Sequence, residues 1–173
     1  MNPPRATIAS LNTMPTADFV AALGAIYEHA PWVAEAVCAH RPFASIAALA
    51  EAMQRVVQEA SFDDQLRLLR AHPALGESGP LTAHSTSEQH DAGFDRITPE
   101  RAATLADLNR RYRARFDFPF IIAVRGQKDA QAIITQLERR LANDDETELA
   151  TALHEVGRIA WFRLQSLEPS MAR

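Results

Sequence analysis

Residues 116–124 read FDFPFIIAV, and the assignment of this stretch decides the class of the whole chain. It is continuously apolar, rich in aromatic and β-branched residues, and closed by Arg125-Gly126, as a strand buried on both faces would be. A strand needs a partner for its backbone N–H and C=O groups. No second segment of that character exists here, and Pro119 sits inside this one, so pairing within a sheet is not expected. The stretch therefore reads as an extended or partly helical buried segment in an otherwise helical protein.

The sequence on either side agrees. Thr98-Pro99-Glu100 is a helix start, and Leu105, Leu108 and Tyr112 carry its apolar stripe to about Arg115. Residues 127–142 and 145–167 form two further helices joined at Asn143-Asp144. Earlier, Ser61 with Asp64 opens a helix bearing Leu66, Leu68 and Leu69, and His72-Pro73 stops it. Ser45 caps another, with Ile46, Leu49, Met53, Val56 and Val57 inward. Pro31 opens a short helix to about His40, ended by Arg41-Pro42. Thr16 caps a helix with Asp18 in its first turn and Phe19, Val20, Leu23, Ile26 and Tyr27 as its stripe. Residues 73–84 hold Gly76, Gly79 and two prolines and read as a loop, after which Ser85 to Gly93 can form a short helix. Residues 1–15, with three prolines and little periodicity, read as a loose N-terminal arm. The expectation is an all-α protein: a single multihelical domain over residues 16–173, about eight helices with one extended buried segment.

Composition narrows the function classes. A chain of 173 residues can bury a real core as one domain. Its 47% hydrophobic and 23% charged residues are those of a soluble globular protein. A formal charge of -4 and a pI near 5.8 argue against a nucleic-acid partner, which would call for a basic face. One cysteine, Cys38, excludes an internal disulfide and suits a reducing compartment. No apolar run reaches membrane-spanning length, and the first residues lack the apolar core of a signal peptide. The closing SMAR is no peroxisomal address, so a cytoplasmic protein without a membrane partner is expected.

Groups able to do chemistry gather in residues 71–94, AHPALGESGPLTAHSTSEQHDAGF. His72 ends a helix directly before Pro73, which presents its imidazole from a boundary; the plain alternative is dipole capping at a helix C-terminus. Ser85-Thr86-Ser87-Glu88 is the S-x-x-E of a capping box, an inert helix start in many proteins. The same residues with Gln89 put a hydroxyl, a carboxylate and an amide near free backbone N–H groups, which suits a small anionic substrate rich in heteroatoms. His84, His90 and Asp91 match no metal signature with His72 or Glu88, and no metal is expected. A Ser85–His72 nucleophilic pair lacks the G-x-S-x-G elbow and an orienting acid. In the last helix Leu149, Leu153, Val156, Ala160, Arg163 and Leu167 step by four and three, which places Arg163 on the inward stripe. A buried guanidinium needs an anion, either a ligand or a protein carboxylate, and the spacing leaves both open. Arg125 is a second candidate anion contact.

Several blocks taken in order carry a resemblance. They are His72-Pro73-x-Leu75-Gly76, Leu81-Thr82, and Ser85-x-x-Glu88-Gln89-x-x-Ala92-Gly93. Leu108-Asn109-x-x-Tyr112-x-x-x-Phe116-x-Phe118-Pro119-Phe120-Ile121-Ile122 and Glu155-Val156-x-x-Ile159-x-x-x-Arg163-Leu164 follow. From about Phe19 to Leu167 the chain resembles the 2-oxo-4-hydroxy-4-carboxy-5-ureidoimidazoline (OHCU) decarboxylases of urate breakdown. The resemblance implies a multihelical carboxy-lyase without cofactor, a homodimer as partner state, and (S)-allantoin as product. It places the catalytic histidine on His72 and the catalytic glutamate on Glu88. Substrate contacts fall on Pro73, Leu75, Ser85, Gln89 and the backbone of Phe120, Ile121, Ile122, Ala123 and Val124, the family's inward arginine falls on Arg163, and Arg163 or Arg125 would offset charge. Three departures stand out: a shorter loop between His72 and Glu88, Gly76-Glu77 where others carry Ala-Gly-Lys, and Asp117 where glycine is frequent. Two competing readings remain. A hydrolase or isomerase of small nitrogenous rings could use the same His/Glu pair. A helical interaction module would use S-x-x-E only as a cap and pair Arg163 with a protein carboxylate.

Overall fold

A computed structural model describes residues 7–76 and 97–167. Among them are eight α-helices and no strand. They are α1 Ile8–Thr13, α2 Thr16–Leu23, α3 Pro31–Cys38, α4 Ile46–Glu59, α5 Phe62–Arg70, α6 Pro99–Phe116, α7 Ala130–Arg140 and α8 Asp145–Leu167. The all-α class is as the sequence implies. Packing groups the chain into two compact units, Met1–Gln65 with Gly157–Arg173, and Leu66–Val156.

The first unit packs α2 on α3 and α3 on α4. Phe19, Leu23, Val33, Val37, Leu49, Met53 and Val57 are buried there, and Tyr27 donates its hydroxyl to Gln54 Oε1 at 3.2 Å. Ser45 caps α4 by accepting from Ala48 N–H at 3.1 Å, as its position implies. Thr16 does not cap α2: Pro15, at ψ 150°, occupies the cap position, and Thr16 is already the first helical residue. The expected loose arm also needs correction from residue 7 onward. Thr7 and Ser10 form a reciprocal capping box that starts α1, whose Leu11 is fully buried. Asn12 then exchanges two hydrogen bonds of 2.8 Å with the backbone of Phe43, and Arg41 Nη1 donates to Met14 C=O at 2.6 Å. Three prolines made this region look irregular, but two of them precede the helix and the third follows it.

The second unit holds α6 and α7 against the FDFPFIIAV segment. Thr98 caps α6 by accepting from Arg101 N–H, with Pro99 in the first turn. Asp129 caps α7 at 2.8 Å from Ala132 N–H, so that helix begins three residues later than the spacing suggests. Phe118, Phe120, Ile121, Ile122 and Ala123 are all buried without entering a sheet. Gly126 turns the chain at φ +90°, a backbone geometry that leaves L side chains strained.

Asp117 closes α6 in the left-handed conformation, φ 63° and ψ 20°. A residue without Cβ adopts this at no steric cost, which explains why glycine suits the position. Arg70 donates to the Asp117 carbonyl at 3.1 Å and also meets its exposed carboxylate. Asp117→Gly keeps the carbonyl contact and gives up only an exposed ion pair of small worth. The expected result is unchanged or higher stability, by up to about 1 kcal/mol, measured by chemical denaturation. A loss of stability would mean the carboxylate itself anchors α5.

Candidate active site

His72 lies two residues beyond the end of α5 and is buried, 6% exposed. Its Nδ1 is 3.2 Å from the carbonyl oxygen of Leu68. A carbonyl can only accept, so Nδ1 carries a proton and Nε2 is the nitrogen that exchanges one. The chain leaves the helix at Pro73, as the X-Pro restriction demands, and runs through buried Ala74 and Leu75 to Gly76 at φ 74°.

Two neighbours on α6 tie this turn to the FPFIIAV segment. Asn109 Nδ2 donates to the Leu75 carbonyl at 2.9 Å. Tyr112, three residues on and therefore on the same helix face, meets Phe120 edge-on at 5.4 Å and Phe118 at 5.9 Å. Arg70 adds a third link through its hydrogen bond to Asp117 at the head of the segment. His72, Pro73 and Leu75 are thus gathered with Phe120 to Val124 in one unit, although 45 or more residues separate them in sequence.

The backbone of residues 120–124 is held by side chains that the sequence reading did not assign. Arg140 Nη1 donates to the Ile121 carbonyl at 2.7 Å, while its Nε and Nη2 reach Glu148 Oε1 at 2.8 and 2.6 Å. Asn143 Nδ2 donates to Glu148 Oε2 at 2.7 Å, and the Tyr112 hydroxyl donates to Oε1. Burial, followed by the bond to Glu148, pushes the Tyr112 phenol well above its ordinary pKa, so it remains a donor at any working pH. Farther along α8, Glu155 Oε2 accepts from Ala123 N–H at 2.8 Å. Periodicity held a clue, because Glu148, Ala152, Val156 and Ala160 step by four onto one stripe. Leu149 and Leu167, taken as inward, are only partly buried, and Glu148 occupies the inward place beside Leu149.

Arg163 belongs to the other unit. It is 3% exposed, with Nη1 2.9 Å from Glu28 Oε2 and 3.2 Å from the Ile26 carbonyl. The anion it requires is thus supplied by its own chain, which is the second of the two options the spacing left open. Arg125 follows the 120–124 segment at the turn, its neighbour Val124 accepting from Gln127 N–H at 3.1 Å. Ser85, Glu88 and Gln89, with His84 and His90, lie outside the described residues.

Comparison with known proteins bears on this arrangement. A family model described as OHCU decarboxylase matches residues 12–165. The 2-oxo-4-hydroxy-4-carboxy-5-ureidoimidazoline decarboxylase of Haloferax volcanii is 45% identical, over 91% of this chain and 94% of its own. A uric acid degradation bifunctional protein of a Bacillus species is 39% identical over 92% of this chain, which spans 32% of that longer protein. A crystal structure of (S)-allantoin synthase superposes with a TM-score of 0.77 at 34% identity, covering 94% of this chain and 54% of that one.

Proposed function

This chain belongs to the OHCU decarboxylase family, and on that premise we propose how its own residues carry out the decarboxylation of OHCU to (S)-allantoin. The observation that supports the assignment of residues is the shared docking on α6. Asn109 and Tyr112, one turn apart, bring the His72 turn and the Phe120 segment to the same helix face.

The substrate carries a carboxylate and a hydroxyl on one ring carbon beside a C=N bond. When the carbon–carboxylate bond breaks, its electron pair moves toward that imine and CO2 departs. The imine nitrogen takes up a proton, the hydroxyl gives up its own as it becomes the ring carbonyl, and a proton added to one face of the ureido-bearing carbon sets the S centre. The imine is the electron sink, so the reaction needs no cofactor or metal for that purpose. The protein must orient the carboxylate across the ring plane, exclude water and deliver the proton.

His72, anchored through Nδ1 on Leu68, delivers the proton from Nε2 as the imidazolium, on the carboxylate side. Glu88 engages the ring hydroxyl. Pro73 and Leu75 wall the ring, Ser85 and Gln89 hold the ureido group, and the backbone of Phe120 to Val124 holds the ring amides. Arg125 offsets the negative charge. Arg163, with Glu28 at 2.9 Å, serves the fold and stands outside the ligand set. A cytoplasmic location and a homodimer complete the proposal. Buried, unpaired Cys38 suits a reducing compartment, and no helix among the described residues is long and apolar enough to cross a membrane.

The experiment is circular dichroism of the urate-oxidation product mixture with and without this protein. Rapid growth of the (S)-allantoin band together with CO2, and no uptake of water, is the expected result. Hydrolysis without CO2 would turn the assignment to a ring hydrolase. Chelation supplies a second check: overnight EDTA should leave the rate within error of the untreated enzyme. A rate abolished by EDTA and restored by zinc would make His84 and His90 ligands and replace this mechanism.

A further inference from the structure

The inward face of α6 is built from Leu105, Leu108, Tyr112 and Phe116, all buried, and Asn109 lies among them at 5% exposure. Its carboxamide is half used. Nδ2 donates to the Leu75 carbonyl at 2.9 Å, whereas Oδ1 is buried and takes no hydrogen bond among the described residues. The Leu75 carbonyl dictates which way the amide lies. Turned over, it would set Oδ1 against another acceptor and strand a donor instead. The unanswered atom is therefore an acceptor, and it calls for an N–H or an O–H.

Stability does not account for it. A polar atom that has given up water without gaining a partner is destabilising, and such atoms are few in folded proteins. Tyr112, one turn on, shows a polar group of this face that is satisfied, its hydroxyl donating to Glu148. Position supplies a reason. Asn109 holds the turn that follows His72, and Tyr112 meets Phe120, so the acceptor sits on the stretch of α6 where both substrate-binding segments dock. The chemistry of the ring selects the donor. Its carboxylate can only accept and would be repelled by Oδ1, and its hydroxyl is engaged by Glu88. The ring N–H beside the hydroxyl-bearing carbon remains, and it persists in allantoin between the two ring carbonyls.

We propose that Asn109 is a further substrate-binding residue, whose Oδ1 accepts this ring N–H while its Nδ2 holds the wall of the site at Leu75. The inference rests on the decarboxylase reading and adds to it a side chain that selects for an unsubstituted ring nitrogen.

The test compares (S)-allantoin with its derivative methylated on the nitrogen between the ring carbonyls, which has no proton to donate there. Wild type should bind the methyl derivative roughly ten- to a hundredfold more weakly, the scale of one buried hydrogen bond. Asn109→Leu has a similar shape and no acceptor. It should bind allantoin more weakly by a similar factor and hold the two ligands within about threefold of each other, because the coupling goes when either partner is removed. In wild type carrying 13C in its asparagine carboxamides, saturating (S)-allantoin should shift the Asn109 carbonyl carbon downfield, and the methyl derivative should not. A role confined to stability would lower the melting temperature of Asn109→Leu and leave the preference between the two ligands as it is in wild type, which overturns the proposal. It is equally overturned if the Asn109 carbon of an active wild type ignores allantoin, as it would with a buried water on Oδ1. That measurement needs no variant, so it stands even where Asn109→Leu fails to fold. A wild type that releases no CO2 from OHCU would instead remove the decarboxylase reading itself.

Discussion

Arg163→Leu should destabilise the protein by about 3–5 kcal/mol, the cost of breaking a buried ion pair from one side. The leucine itself fits: Arg163 lies among buried Ala160 and Leu164 on α8, where an apolar side chain continues the stripe. What the substitution harms is Glu28, whose side chain is fully buried and whose Oε2 receives the guanidinium at 2.9 Å. Removing the cation strands a carboxylate in the core and takes a donor from the Ile26 carbonyl. Adding Glu28→Leu to Arg163→Leu should recover much of the loss, because replacing both partners by apolar groups is often neutral. The carbonyl left without its donor keeps the recovery incomplete. Urea denaturation of the single and double variants measures this. Product binding separates the structural role from a ligand role: (S)-allantoin should still raise the melting temperature of the folded variant. An unperturbed apo fold that no longer responds to allantoin would return Arg163 to the site.

His72→Gln should lower kcat roughly a hundred- to ten-thousand-fold, the usual worth of general acid–base help, while KM changes far less. The glutamine amide can still donate to the Leu68 carbonyl, which His72 Nδ1 meets at 3.2 Å, so the turn keeps its anchor and loses only a titratable proton. Glu88→Gln should fall in the same range: the amide continues to serve a capping box but cannot carry negative charge. If the two act on one transition state, the double variant should be about as slow as the slower single one rather than the product of both losses. Steady-state kinetics with freshly generated OHCU tests this, with CO2 release as the signal. Near wild-type turnover by Glu88→Gln would reduce Glu88 to a cap.

The fold was legible wherever local rules agreed with burial. Ser45 capped α4 as its type predicts, Pro73 ended the chain's helical course, and FDFPFIIAV stayed out of a sheet because nothing else in the sequence could pair with it. α1 was misread because prolines flank it, and proline reports on the residues beside it more than on those between. The cluster of Tyr112, Arg140, Asn143 and Glu148 was missed for a different reason. Tyr112 reads as one more residue of an apolar stripe, Asn143 as a helix junction and Arg140 and Glu148 as charged helix positions, and only the tertiary fold places Glu148 within reach of a phenol 36 residues earlier. The same holds at the site. His72 and Phe120 were each suggested by their blocks, but their common attachment to α6 depends on where Asn109 and Tyr112 point, and a sequence does not state that.

The Glu28–Arg163 pair also bears on the order in which the protein can be made. The unit that contains it draws on Met1–Gln65 and on Gly157–Arg173, whereas the other, Leu66–Val156, is one unbroken stretch. During synthesis the unbroken stretch has all its parts before translation reaches residue 157. Glu28 emerges early and waits 135 residues for its guanidinium. Until then a carboxylate destined for the core stays hydrated, because the guanidinium that pairs with it has not been made. That interval is when a nascent chain most needs a holdase. Protease pulses on stalled ribosomes should find residues 97–156 protected first and residues 16–60 only once α8 has emerged.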